Sequence, residues 1–162
     1  MTINKGRINA IQSALQAYAD RGIFRSYSYK SVAAGKHEFR FAWLTDHPFL
    51  LVFNQHSHSF VFKDLLPNVE KKSLVDSRFR CFLKGCYSGE LPEHRRIDSE
   101  KIKLSCINRE DSLSISLKLF PHCDDAYAVN KAVNLVSDIF NIFLHQPENS
   151  FYVHNNFGIA GE

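Results

Sequence analysis

The sequence predicts an α+β domain in which an antiparallel sheet of five to six strands carries three helices, in the order α-β-β-β-(β)-α-β-β-α. Three observations indicate this class. The sequence contains fourteen Phe, six Tyr and one Trp but only one Met. This composition suits a pleated sheet better than a Leu-rich helical bundle. Apolar residues alternate with polar ones in the strand segments and recur at helical spacing in three others. A chain of 162 residues is the size of one domain, here 1–162, with 146–162 as a docked C-terminal tail.

The first helix is expected near 3–20. Apolar residues from Ile8 to Tyr18 recur at helical spacing, and Gly22 follows as a C-terminal stop. The start of the chain places charged residues ahead of this pattern and not an unbroken apolar run, so no signal peptide is expected.

Consecutive antiparallel strands are expected between Phe24 and Phe62. Phe39, Phe41 and Trp43 share one side of a strand, which indicates a core-facing surface. The apolar segment Phe49–Phe53 has no polar side and predicts a central strand. Three breaks are each short enough for a hairpin connection, namely 33–35, 45–48 and 54–58.

A second helix is expected near 73–87. Ser73 and Asp76 have the spacing of a capping box, and apolar residues then recur at helical intervals until Gly89. Two alternating segments follow and predict a hairpin with one solvated side, Lys101–Ile107 and Ser112–Phe120.

The last helix, expected over 124–144, is apolar around about half of its circumference, which is more than the roughly 100° that a core contact needs. Two interpretations stay open: the sheet curls around this helix, or part of the stripe forms a subunit interface. The candidate interface residues are Val136, Ile139, Phe140 and Phe143. The aromatic tail 151–157 is likewise expected to pack back over the sheet edge or to reach across a dimer.

The order of these elements, the chain length and the long amphipathic final helix resemble the α/β fold of class I type III secretion chaperones and related small bacterial proteins. The resemblance covers most of the chain as an arrangement of elements. It implies a homodimer that binds a protein partner. The net charge of +3 departs from the acidic character of those chaperones.

Charge is unevenly distributed along the chain. Residues 1–118 contain nineteen of the twenty Lys and Arg and twelve of the seventeen Asp and Glu, which gives a net charge of +7. Residues 119–162 contain one Lys and five Asp and Glu, which gives a net charge of −4. This charge either solvates the surface or binds an anionic partner through the sheet side. The pI of 8.7 lies below the range of typical nucleic-acid-binding domains, so nucleic acid is not an expected partner.

The densest polar cluster lies in 90–98, between the second helix and the fifth strand. Two adjacent Arg side chains beside a His can hold a phosphate or carboxylate, and the flanking carboxylates can orient the imidazole. The alternative is a solvated loop with local ion pairs. The candidate anion- or partner-binding residues are Glu93, His94, Arg95, Arg96 and Asp98.

No catalytic, cofactor or metal motif is found. A nucleophile elbow and the glycine-rich phosphate loops are absent, and His56-x-His58 reads better as a hairpin tip than as a metal site. The longest uncharged apolar run, Pro48–Phe53, is far shorter than the roughly 20 residues of a membrane span. Four cysteines fit reduced thiols in the cytoplasm.

The sequence therefore predicts a small cytoplasmic binding or chaperone-like module, homodimeric and without catalytic activity. The alternative is an anion- or phosphate-binding protein, or an enzyme, that uses Glu93–Asp98.

Overall fold

The computed structural model describes residues 5–45 and 48–157. It confirms the α+β class and the predicted order of elements, and it adds a fourth helix in the tail. Part of the predicted break at 45–48 lies outside the described residues. The elements are α1 (Lys5–Asp20), β1 (Ser26–Ala33), β2 (Lys36–Ala42), β3 (Phe49–Asn54), β4 (Ser59–Leu66), α2 (Leu74–Gly85), β5 (Ile102–Arg109), β6 (Ser112–Leu119), α3 (Asp125–Asp138), a π-helical turn (Ile139–Phe143), a 3-10 turn (Pro147–Asn149) and α4 (Ser150–Phe157).

The six strands form one antiparallel sheet in the order β1-β2-β3-β4-β6-β5. The predicted central strand is confirmed, because β3 and β4 lie in the middle of the sheet. The hairpin β5-β6 joins β4 through β6, so β5 becomes one edge of the sheet and β1 the other.

The strand register gives the sheet two distinct faces. We call the first the helix face; one of its rows across the six strands is Tyr29, Phe39, Leu51, Phe62, Ile115 and Cys106. We call the second the open face; the adjacent row on that side is Lys30, Glu38, Val52, Val61, Ser116 and Ser105.

The helices pack on the helix face through aromatic contacts. Phe24 stacks on Phe41 at 4.2 Å between ring centroids and connects α1 to the sheet through Tyr18. Phe140, in the π-helical turn, contacts Phe49 of β3 at 5.5 Å. Since rings of this size bury a large apolar area, these contacts anchor the helical layer.

Two predicted helix starts are confirmed by capping hydrogen bonds. The Ser73 hydroxyl accepts the Asp76 N–H at 3.2 Å and begins α2. The Asp124 carboxylate accepts the Tyr127 N–H at 3.0 Å and begins α3. Both side chains satisfy backbone donors that lack a partner inside the helix.

The broad apolar stripe of the last helix is used within the chain itself. Its four candidate interface residues are already buried in one chain, with exposed fractions of 0% for Val136 and Ile139, 8% for Phe140 and 1% for Phe143. The fold of one chain therefore already covers nearly all of their surface, and their role at a subunit interface stays a prediction. The helix widens at its end, where the Leu144 N–H donates to the Ile139 carbonyl.

The tail docks on its own chain as α4. The Tyr152 hydroxyl donates to the Pro67 carbonyl at 2.6 Å, just after β4. Phe157 meets Phe140 edge-on at 5.5 Å. Across the two described ranges, none of the helices combines the length and the apolar character that a bilayer span requires.

Candidate functional site

The loop between α2 and β5 docks on the polar stripe of α3. Residues at positions 131, 134 and 138 of α3 lie on one helical face and hold successive residues of the loop. Lys131 Nζ donates to the Glu93 carbonyl at 2.5 Å, Asn134 Nδ2 donates to the His94 carbonyl at 3.2 Å, and Arg95 Nε donates to Asp138 Oδ2 at 2.9 Å.

The predicted anion site is not assembled as expected. Arg95 is committed to Asp138, and these side chains are only 27% and 17% exposed. His94 is exposed and lines a second cleft beside Asn130 and Asn134. Arg95 pairs with Asp138, whereas the next residue, Arg96, lines a cleft. Their two guanidinium groups therefore do not bind one anion together.

The remaining predicted residues meet new partners in a cleft of about 400 Å³, which we call the loop–α3 cleft. It is lined by three cations, two carboxylates and a tyrosine ring, respectively Arg96, Lys101, Lys131, Glu93, Asp98 and Tyr127. The loop thus lines a cleft and does not project into bulk solvent.

Tyr127 organises the floor of this cleft. Its hydroxyl oxygen accepts the Asp98 N–H at 3.1 Å. The Nζ atoms of Lys101 and Lys131 lie 4.6 and 5.5 Å from its ring centroid. Cation–π contacts of this length hold both ammonium groups near one ring.

Lys131 is an unusual residue, since only 8% of it is exposed. Burial lowers the pKa of Lys131, the charge of Glu93 opposes that change, and the charges of Arg96 and Lys101 add to it. The positive charges of Arg96 and Lys101 therefore act on the ammonium group of Lys131 across the cleft.

Lys101, Lys131 and Tyr127 were not among the residues that the sequence predicted. One signal pointed to Lys131: it is the single basic residue of 119–162, and it lies within the polar stripe of the last helix. No sequence signal connected it to a loop more than thirty residues earlier.

The open face carries most of the charge of the sheet. The six strands contain seven basic and two acidic residues. The basic residues are Lys30, Lys36, Arg40, Lys63, Lys103, Arg109 and Lys118; the acidic ones are Glu38 and Asp64. Alternation and register place the basic side chains on the face opposite the helices.

An apolar centre lies among these charges. Leu50 pairs in register with Arg40 and Lys63, and Val52 pairs with Val61. Leu50 and Val61 are partly exposed, whereas Val52 is only 4% exposed. The serines of β6 flank this centre on one side. The strand aromatics lie on the helix face, so the rings of Phe39 and Phe41 are core residues, as expected.

A second polar network is structural. Asp76 is 5% exposed; Arg80 Nε donates to its Oδ2 at 3.1 Å, and Asn108 Nδ2 donates to its Oδ1 at 3.3 Å. Burial favours a raised pKa for Asp76, but hydrogen bonds from Arg80 and Asn108, together with the Arg80 charge, leave it lowered. This network ties α2 to β5.

The edge strand β5 is covered by side chains from α2 and the following loop. The Tyr87 hydroxyl accepts the Leu104 N–H at 2.6 Å, and Arg80 Nη1 donates to the Cys106 carbonyl at 3.3 Å. These contacts occupy backbone groups that otherwise pair with a foreign strand.

The cysteines and histidines of the described ranges form no assembled reaction centre. Burial raises the pKa of Cys86 to about 12 and that of Cys106 to about 11, so both are thiols at neutral pH. Within the part of the chain that the structure describes, no three His, Cys, Asp or Glu residues converge as metal ligands. His56 lies in the hairpin tip, with Nε2 3.3 Å from the Ala34 carbonyl.

Comparison with protein-family models, with curated proteins and with solved structures gives no match. The resemblance to secretion chaperones therefore stays a prediction.

Proposed function

We propose that this chain is a binding module without chemistry of its own, and that its open face takes an acidic segment of a protein partner. One observation carries the proposal. Seven of the nine charged residues in the six strands are basic, and they lie on the face that the helices leave uncovered.

The composition of the open face favours protein over nucleic acid. Protein interfaces commonly combine an apolar centre with a polar, hydrated rim, as the partly exposed Leu50 and Val61 do with Arg40 and Lys63 beside Leu50. Single-stranded nucleic acids are usually held by aromatic rings on which bases stack. The aromatic side chains of the strands belong to the opposite face.

Three further features support a binding role. The buried thiol of Cys86 and the partly buried thiol of Cys106 have raised pKa values, which disfavours nucleophilic catalysis by either. The four cysteines are free, which fits the proposed cytoplasmic location. The fold presents a rigid sheet as its platform, and rigid surfaces lose little entropy on binding.

Self-association belongs to the same proposal, with a different surface. Among the residues that the structure describes, the most exposed large apolar side chains are Phe151 of α4, at 80%, and Leu74 of α2, at 71%. Arg78 Nη1 of α2 donates to the carbonyl of Glu148 at 3.0 Å, in the 3-10 turn just before α4. We propose that a homodimer uses this side; light scattering at high micromolar concentration tests it, and a strict monomer contradicts it.

Binding of a short peptide that carries valines among its glutamates tests the open face. The Lys63→Gln/Lys118→Gln variant is expected to bind it about two- to thirtyfold more weakly, because each of the two exposed ion pairs lost contributes about 0.2–1 kcal/mol. The matched control, Lys71→Gln/Lys84→Gln, removes the same charge outside the strands.

The expected result is weaker binding only in the open-face variant, with affinity that falls as salt rises. Equal loss in both variants indicates a response to net charge alone and contradicts the proposal. Tighter binding of an oligothymidylate than of the peptide contradicts the choice of a protein partner.

A further inference from the structure

We propose that the loop–α3 cleft is a second, independent binding site, and that it takes a small phosphate monoester that also carries hydroxyl groups. This inference does not depend on the open face, which lies on the other side of the sheet from the helices.

Three cations converge on the cleft from separate parts of the chain. Arg96 lies in the loop, Lys101 immediately precedes β5, and Lys131 lies in α3. A phosphate accepts several charge-assisted hydrogen bonds at once, with a guanidinium acting as a fork and ammonium groups as point charges. Their mutual repulsion is relieved when a dianion binds among them.

The position of the ammonium group of Lys131 is fixed before any ligand arrives. It donates to the Glu93 carbonyl and lies beside the Tyr127 ring, which Lys101 also contacts. An ammonium has three donors, so one hydrogen bond to the loop leaves donors for an anion. Because this geometry is already formed, little ordering is needed on binding.

The two carboxylates decide the class of the ligand. Glu93 and Asp98 line the same cleft as the three cations, so the lining carries a net charge of only +1. A tricarboxylate such as citrate has three anionic groups and only one hydroxyl, so it meets repulsion from both carboxylates that its single hydroxyl does not offset. A phosphate monoester with hydroxyl groups satisfies both sets, since its phosphate faces the cations and its hydroxyls donate to the carboxylates.

The loop itself is held firmly enough to keep this lining in place. Ile97 is 2% exposed and belongs to the core, and its N–H donates to the Cys86 carbonyl at 2.9 Å. The N–H groups of Lys101 and Ile102 both donate to the Asp98 carbonyl at 3.0 Å. The cleft therefore lies against ordered backbone.

Titration calorimetry with glycerol phosphate, inorganic phosphate and citrate tests the proposal on the full chain. Glycerol phosphate is expected to bind best and citrate worst. Arg96→Gln and Lys101→Gln are each expected to weaken glycerol phosphate about tenfold or more, because each removes a charged donor. Lys84→Gln is the matched control, since Lys84 is an exposed lysine of α2 that belongs neither to the loop–α3 cleft nor to the open face.

Loss in the two cleft variants with an unchanged control supports the proposal. Citrate binding more tightly than glycerol phosphate overturns the ligand class. No binding at millimolar glycerol phosphate, or binding that both cleft variants retain, overturns the site. Thermal melts of both variants establish that they are folded, and the acidic-peptide assay on the same samples separates failure here from failure of the open face.

Discussion

Arg95 and Asp138 form a half-buried ion pair that fastens the 90–98 loop to the last turn of α3, with Arg95 Nε donating to Asp138 Oδ2 at 2.9 Å. The pair joins residues 43 positions apart in the chain. It gives Arg95 a structural role and leaves Arg96 to face the cleft.

Breaking this pair is expected to loosen the loop without unfolding the sheet. Arg95→Ala and Asp138→Ala should each lower the free energy of unfolding by about 1–2 kcal/mol, since a charged hydrogen bond in a partly buried place is lost. A double-mutant cycle by urea unfolding measures their coupling, expected at about 1 kcal/mol. Additive effects would mean that the two side chains do not interact in solution.

Phe140 is expected to be a principal core residue. Phe140→Ala should lower the free energy of unfolding by about 3–5 kcal/mol, because its ring is 8% exposed and packs between Phe49 and Phe157. Phe151→Ala is the matched control, measured at a concentration at which the protein is monomeric: the same side chain is 80% exposed there, and a change within about 0.5 kcal/mol is expected. A similar loss of unfolding free energy in both variants would contradict the burial of Phe140 between Phe49 and Phe157.

Asp76 should contribute stability that acid removes. Its pKa in the folded chain is lowered from the roughly 3.9 of an unfolded Asp, so the ionised carboxylate stabilises the fold above about pH 4. This contribution is lost as the pH falls through the lowered pKa. Urea unfolding across this range should show Asp76→Asn less stable at neutral pH and the difference shrinking below pH 4.

The exposed Glu100→Gln variant is the control for that experiment and should follow the native protein at each pH. A difference between native protein and Asp76→Asn that stays constant through the acid range would contradict the role given to the Asp76 carboxylate.

The cysteines should react in an order set by burial. Cys81 is exposed, whereas Cys86 is buried and its pKa is raised to about 12. Alkylation by iodoacetamide at neutral pH, followed by mass spectrometry, should label Cys81 well before Cys86, because the thiolate is the reacting form. Equal rates would show that the helix α2 opens faster than alkylation proceeds.

The arrangement of elements was predictable because local periodicity reports which side of each element is buried. The alternation around Phe39 and Phe41 and the apolar segment at β3 placed the sheet, and the Ser73 cap placed α2. Helix α4 was not predicted, since Ser150–Phe157 is short and carries aromatic residues on more than one side. Its helical form depends on docking at Pro67 and Phe140.

The cleft was only partly predictable, for a different reason. The 90–98 loop was predicted as a candidate site because its charged residues are adjacent in sequence. Adjacency also indicated that Arg95 and Arg96 hold a ligand together, whereas Arg95 pairs with Asp138 and Arg96 lines the cleft. Lys131 joins the site through the docking of two distant segments, which a pattern within one segment does not report. The open face was more predictable from the sequence, because the net charge of +7 in residues 1–118 and the alternation within the strands together indicated a basic side of the sheet.

Methyl NMR during titration with the acidic peptide tests the open-face assignment most directly. Methyl groups of three central strands serve as probes of opposite faces: Val52 and Val61 lie on the open face, and Leu51 and Ile115 lie on the helix face. The account predicts shifts at the two valines and little change at the other two. Shifts confined to Leu51 and Ile115, or no shift at either valine while the peptide binds, would contradict it.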